Sequence, residues 1–199
     1  MNFLFKLRAL LIVFLIWGTA GGGIAPAQTA QYSEYDVKAA CLYNFGKFVD
    51  WPDSAFSAPD APLVIGIYGE NPFHDHLAAI VRGKGIRGHL IMVQPVTFNT
   101  LQNCHILFIS ASEQKNLTAI VRKLNGSSVL TVTENTDPFQ SGVMIDFVME
   151  NDEIRFEIND AAARQAGLKI SSKLLVLATK TKASLATPKR QTYLCTRYP

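Results

Sequence analysis

Residues 63–81, Leu-Val-Ile-Gly-Ile-Tyr-Gly-Glu-Asn-Pro-Phe-His-Asp-His-Leu-Ala-Ala-Ile-Val, carry the pattern on which the fold turns. Leu63 to Tyr68 is an apolar, β-rich run of strand length. Gly69-Glu70-Asn71-Pro72 ends it, and Pro72 suits the first turn of a helix, where its missing N–H would have no partner. Leu77, Ile80 and Val81 then recur at helical spacing.

The alternation continues downstream. Arg82 to Gly88 (RGKGIRG) is a glycine-broken basic turn, and His89–Val96 and His105–Ser110 read as the second and third strands. Ser112 is expected to cap a helix bearing Leu117, Ile120, Val121 and Leu124, closed by Asn125-Gly126. Val129–Thr133 is a fourth strand. Val143–Met149 and Glu153–Ile158 form a hairpin around Glu150-Asn151-Asp152-Glu153. Asn159 or Asp160 caps an alanine-rich helix that ends at Gly167, and Ser171-Ser172 start a last helix through Leu174–Leu177. Strands alternating with helices, then pairing as a hairpin, predict a single α/β domain with a mixed β-sheet flanked by helices.

Upstream, Ser33-Glu34-Tyr35-Asp36 has the form of a capping box, and a helix is expected to run to about Asp50, where Trp51-Pro52 stops it. Val37, Cys41, Phe45 and Phe48 form an apolar stripe that Leu42 and Val49 widen past one face. Such a helix is buried on two sides, or meets a partner on one.

The chain begins with Lys6 and Arg8, an apolar run from Ala9 to Trp17, a triple glycine and Ala25-Pro26-Ala27. Charge, a short apolar core and small residues at the cut site make residues 1–27 a cleavable Sec-type signal. The run falls short of the roughly 20 residues needed to cross a bilayer. The expected product is a periplasmic protein, not membrane-embedded after cleavage. Its body is residues 28–180, and residues 181–199 form a polar tail expected to fray. Loss of Lys6 and Arg8 lowers the net charge from +3 to +1, which removes any case for nucleic-acid binding.

No constellation for catalysis emerges. Gly66-Ile67-Tyr68-Gly69 lacks the full dinucleotide fingerprint and reads as a tight turn. His74 and His76 point to different helix faces, so they and His89 and His105 read as surface residues, with no metal and no cofactor expected. Ser110-Ala111-Ser112 lacks the nucleophile-elbow pattern. Asp146, Glu153, Glu157 and Asp160 read as the solvated face of the hairpin region. Of the three cysteines, Cys41 and Cys104 are either two buried thiols or a Cys41–Cys104 disulfide. The chain reads as a binding protein, not an enzyme.

Six stretches together resemble the YfiR-like family of periplasmic proteins: Glu34–Pro52, Leu63–Phe73, Cys104–Glu113, Val129–Glu134, Gly142–Phe147 and Ile154–Leu175. The resemblance implies a dimeric periplasmic repressor that binds the periplasmic region of an inner-membrane diguanylate cyclase and so limits cyclic di-GMP and biofilm growth. It also implies that disulfides contribute to the fold, although three cysteines allow fewer than the family pattern. Contact residues are sought where apolar side chains exceed what one core face needs, namely Phe48, Val49 and Trp51, then Phe156, Ile158, Leu168 and Ile170. The alternative is a periplasmic small-molecule-binding or sensor domain with its pocket at the strand ends near Gly69 and Ser110.

Overall fold

Helix α1 (Glu34–Phe48) opens with the expected capping box: the Ser33 hydroxyl accepts the Asp36 N–H, and the Asp36 carboxylate accepts the Ser33 N–H. It is the first element of a computed structural model that describes residues 33–181. The expected signal at 1–27 and the chain from residue 182 onward lie outside the described residues. Beyond Glu34 no residue of α1 is exposed, because the sheet lies beneath it and helices α2 (His76–Val81) and α6 (Ser172–Leu177) flank it. Burial on several sides therefore accounts for its broad apolar surface. It ends at Phe48 and not at Asp50. Strand β1 (Val49–Asp50) is drawn into an antiparallel pair with β9 (Lys169–Ile170), Val49 opposite Ile170.

The main sheet contains β2 (Leu63–Tyr68), β3 (Gly85–Ile86), β4 (His89–Pro95), β5 (Ile106–Ile109), β6 (Leu130–Glu134), β7 (Ile145–Glu150) and β8 (Glu153–Ile158) in the order β3-β4-β2-β5-β6-β7-β8. Strands β4, β2, β5, β6 and β7 are parallel, and β3 and β8 add antiparallel edges. The parallel strands thus stand in the doubly wound order 2-1-3-4-5, whose topological switch lies between the carboxyl ends of β2 and β5.

Period-2 alternation splits the core. One face carries Ile65, Ile67, Ile106, Phe108, Val132, Ile145 and Phe147 under α1, α2 and α6. The other carries Leu107 and Ile109 under Leu117 and Ile120 of α3 (Leu117–Lys123). Short helices α4 (Pro138–Ser141) and α5 (Asp160–Gln165) complete the body, and of the two expected caps, Asn159 and Asp160, the Asn159 side chain caps α5.

Several local expectations change. Pro72 sits in a turn before α2, which starts only at His76. The chain leaves β5 through a 3₁₀ segment, Ala111–Asn116, and Ser112 caps nothing there: its Oγ accepts the Glu70 N–H. The hairpin turn is as expected, with Asn151 and Asp152 at φ 52° and 61°, the left-handed pair that a two-residue type I′ turn requires. Thr181, the first residue of the stretch expected to fray, instead forms a parallel bridge with Ile158.

Candidate partner-binding surface

The switch point between β2 and β5 is where a fold of this strand order would bind a ligand, and here two side chains lie close to its glycine. Gly69 has φ +92°, and a Cβ on it would lie 2.5 Å from Ser112 Oγ and 2.7 Å from Glu113 Cγ. Glycine is required both by conformation and by this close approach. The Ser112 and Glu113 side chains therefore crowd Gly69 at the strand ends where a pocket was expected.

Beside it, at the end of β6, Lys38 and Glu134 form an ion pair in which each side chain is 2% exposed. Glu34 pairs with the same ammonium from the rim, and the Gln114 amide donates to the Glu134 carbonyl. Burial pulls the Lys38 pKa down, yet the hydrogen bonds its ammonium donates to Glu134 and Glu34 outweigh this and raise it. Asp146, fully buried, is pushed up to about 6 by desolvation, against the Thr136 N–H and hydroxyl that both donate to it. Asp146, Glu157 and Asp160 are thus buried and not on a solvated face. Each has a partner: Thr136, Lys180 and Arg164 respectively.

The amino ends of the strands are closed by rings. Phe56 stacks between His89 at 3.9 Å and His105 at 4.3 Å, centroid to centroid. Trp51 meets His105 edge-on and donates its Nε1–H to the His105 carbonyl at 3.2 Å. His105 Nδ1 accepts the Val64 N–H at 3.0 Å, which leaves the proton on Nε2, 3.2 Å from the Ala55 carbonyl. Burial lowers the His105 pKa, so the neutral ring is the resident form. His105 was expected at the surface; it is buried because it completes this plug. His76 instead pairs with Asp36. Among the described residues no group of three His, Cys, Asp or Glu could hold a metal ion.

The seven apolar residues put forward for partner contact divide clearly. Val49, Phe156, Ile158, Leu168 and Ile170 are core, between 0% and 6% exposed, and offer a partner no surface in this chain. Phe48 and Trp51 are half-buried and keep an accessible edge. The β1–β9 pair brings the two proposed regions together: Val49 faces Ile170, and Ser171 N–H donates to the Phe48 carbonyl. That clasp had no signal in either two-residue segment read alone. Around it lie cations that the sequence shows only as a basic turn. Lys47 and Lys84 sit over the Tyr43 ring at 4.3 and 4.7 Å, and Arg87 pairs with Asp50. On strand β4, next to the β3 edge, Leu90 and Met92 are 63% and 50% exposed.

Neither alternative for Cys41 and Cys104 holds in full: the two are not bridged to each other, and only Cys104 is a free thiol. Cys41 belongs to the cluster under α1, whereas Cys104 lies in the cluster on the opposite face of the sheet. Cys104 is a free thiol whose Sγ–H donates to the Leu101 carbonyl and whose pKa burial pushes up to about 12. Cys41 is disulfide-bonded.

A cleft of about 570 Å³ opens on the α3 side, with Val121, Leu124, Phe139 and Met144 among its apolar lining and Arg122, Asn125 and Gln165 among its polar groups.

The profile described as DUF4154, YfiR/HmsC-like, matches residues 35–179. The chain belongs to the YfiR/HmsC-like family. Two solved structures are similar over part of their length. A conserved domain protein from Vibrio cholerae O1 biovar El Tor str. N16961 shares 13% identity over 60% of this chain and 55% of that one, with a TM-score of 0.43. An ABC domain in complex with L-Trp from Streptococcus pneumonia shares 11% identity over 72% of this chain and 60% of that one, with a TM-score of 0.46. The chain thus spans less than two thirds of either. Comparison with curated proteins gives no match.

Proposed function

We propose that this YfiR/HmsC-like protein is a periplasmic regulator that binds the periplasmic region of an inner-membrane diguanylate cyclase and holds it inactive, acting as a homodimer and without chemistry of its own. Family membership across residues 35–179 carries this reading. The crowding of Gly69 by the Ser112 and Glu113 side chains at the strand ends, where this strand order would take a ligand, supports it. In this reading the contact surface is the accessible edge of Phe48 and Trp51 with Tyr43, Lys47, Lys84 and Arg87. Aromatics and arginine dominate contact energy at interfaces. Repression requires preference for the inactive partner, because equal affinity for both states shifts nothing. Turning a partner from mostly active to mostly inactive takes a preference of about 10⁴-fold.

Deletion of the gene should raise cellular cyclic di-GMP, and no rise under any growth condition would sink the proposal. Lys84→Glu with Arg87→Glu should reproduce the deletion while the melting temperature stays within about 2 °C, as exposed charges contribute little to stability. The cleft between α3 and α5 favours a second reading, a small-molecule sensor domain. Met144→Trp, which fills that cleft, would abolish regulation in the second reading and leave it intact in the first.

A further inference from the structure

The cleft on the α3 side has an apolar floor and a single sign of charge at its mouth. We infer that it binds an alkyl monocarboxylate, with the chain inside against Met144 and the carboxylate on Arg122. This rests on the second of the two readings above and supplies the ligand class which that reading lacks.

Three short helices and the sheet frame the cleft. Helix α3 gives Val121 and Leu124, α4 gives Phe139, and α5 gives Ala162, over a floor of Thr131 and Met144. The walls are fixed to one another. Gly142, at φ +81° after α4, comes so close to α3 that a Cβ on it would lie 3.3 Å from Val121 Cγ1. Asn159 Nδ2 donates to the Pro138 carbonyl at 3.0 Å and Asn159 Oδ1 accepts the Ala162 N–H at 3.2 Å, which ties α4 to α5. At the mouth, Gly126 has open space where a side chain would stand. The volume of about 570 Å³ falls within the range of about 300–1,000 Å³ usual for small-molecule sites.

The lining chooses the ligand. On the floor the polar atoms are already engaged: Thr131 Oγ takes the Met144 N–H at 3.0 Å, and both ends of the Asn159 amide are used. A group that reaches this depth must be apolar, because a polar one would leave water without gaining a partner. Alanines 161, 162 and 166 and the adaptable Met144 suit a narrow, flexible chain. The mouth is different. Arg122, Asn125 and Gln165 are exposed there, and among the described residues their side chains have no protein partner. Among the described residues no aspartate or glutamate lines the cleft. One guanidinium flanked by two amides matches one negative charge, and its fork takes both oxygens of a carboxylate. A dianionic phosphate would bring a second charge with no counterpart.

Sodium octanoate titrated into the purified protein, carrying ¹³C at its methionine methyls, tests the site directly. Met144 lines the cleft, whereas Met92 and Met149 lie elsewhere and are 50% and 48% exposed, so they report adsorption to any apolar surface. Octanoate should shift the Met144 methyl saturably, with a Kd of about 1 mM or below, and leave Met92 and Met149 in place. Arg122→Gln should weaken octanoate by about tenfold, the scale of a charge-assisted hydrogen bond, without changing the weaker binding of 1-octanol. Ala161→Phe, at an exposed position of α5, should abolish the Met144 shift while the melting temperature holds. An unmoved Met144 methyl, equal shifts at all three methionines, octanoate binding that ignores Arg122→Gln, or tighter binding of octyl phosphate would each overturn the inference. The sensor reading fails separately: octanoate bound at Met144 together with normal cyclic di-GMP control in Met144→Trp cells would keep the site and remove that reading.

Discussion

At the carboxyl end of the parallel strands Lys38, Glu134 and Asp146 are buried with charge to satisfy, whereas at the amino end Trp51, Phe56, His89 and His105 stack with little charge. The first end depends on every group having its partner. The second depends on shape and on one imidazole staying neutral. Each end is closed, but they should fail under different insults: the polar end when one partner is removed, the aromatic end when a ring is removed or His105 is protonated.

Lys38→Met should have the largest effect. It strands the Glu134 carboxylate, and breaking a buried pair from one side costs about 3–5 kcal/mol. Adding Glu134→Gln should recover most of that loss in a urea titration with unchanged slope; failure to recover would show that Lys38 acts by packing alone. At the other end Trp51→Ala should cost about 2–3 kcal/mol, below the range for a fully buried tryptophan because the side chain is only partly buried. A loss under about 0.5 kcal/mol would make Trp51 purely a contact residue and leave Phe56 to close this end.

The two ends also oppose each other in pH. Asp146 is raised to about 6 from 3.8, so its contribution to stability is present below the unfolded value and lost as pH rises through about 6. Asp146→Asn, which can still accept from Thr136, should gain on wild type between about pH 5 and 7.5 by about 1 kcal/mol, within an upper bound of ~3 for a shift of this size. His105 is lowered, so its contribution is present above the unfolded value near 6.5 and lost as pH falls through its folded value. Denaturation of wild type against His105→Gln from pH 7.5 to 5 should show wild type losing the more, and parallel curves would mean the ring is wet. The smallest effect is expected from Lys47→Gln, within about 0.5 kcal/mol.

The sequence shows the fold more readily than the site. Periodicity and turn chemistry are local, so strand β2, the Ser33 capping box, the Asn151-Asp152 turn and a cap at Asn159 or Asp160 are all legible in the sequence. Burial on a sheet is decided by neighbours distant in sequence. Asp146 and Glu157 look like a solvated face until Lys180 and Thr136 are seen beside them, and His105 looks free until Phe56 covers it. The β1–β9 clasp joins two pairs of residues from opposite halves of the chain, and nothing in either pair announces the other. Family membership was legible because it rests on the order of many modest motifs, which one displaced contact does not disturb.

Helix α1 runs from Lys38 at the polar end to Trp51 just past its last turn at the aromatic end. It therefore works as a strut between the two closures. A force on the clasp at Val49 is transmitted along the helical residues 38–48 to the Lys38 ammonium, so the two ends share one mechanical element although they share no side chain.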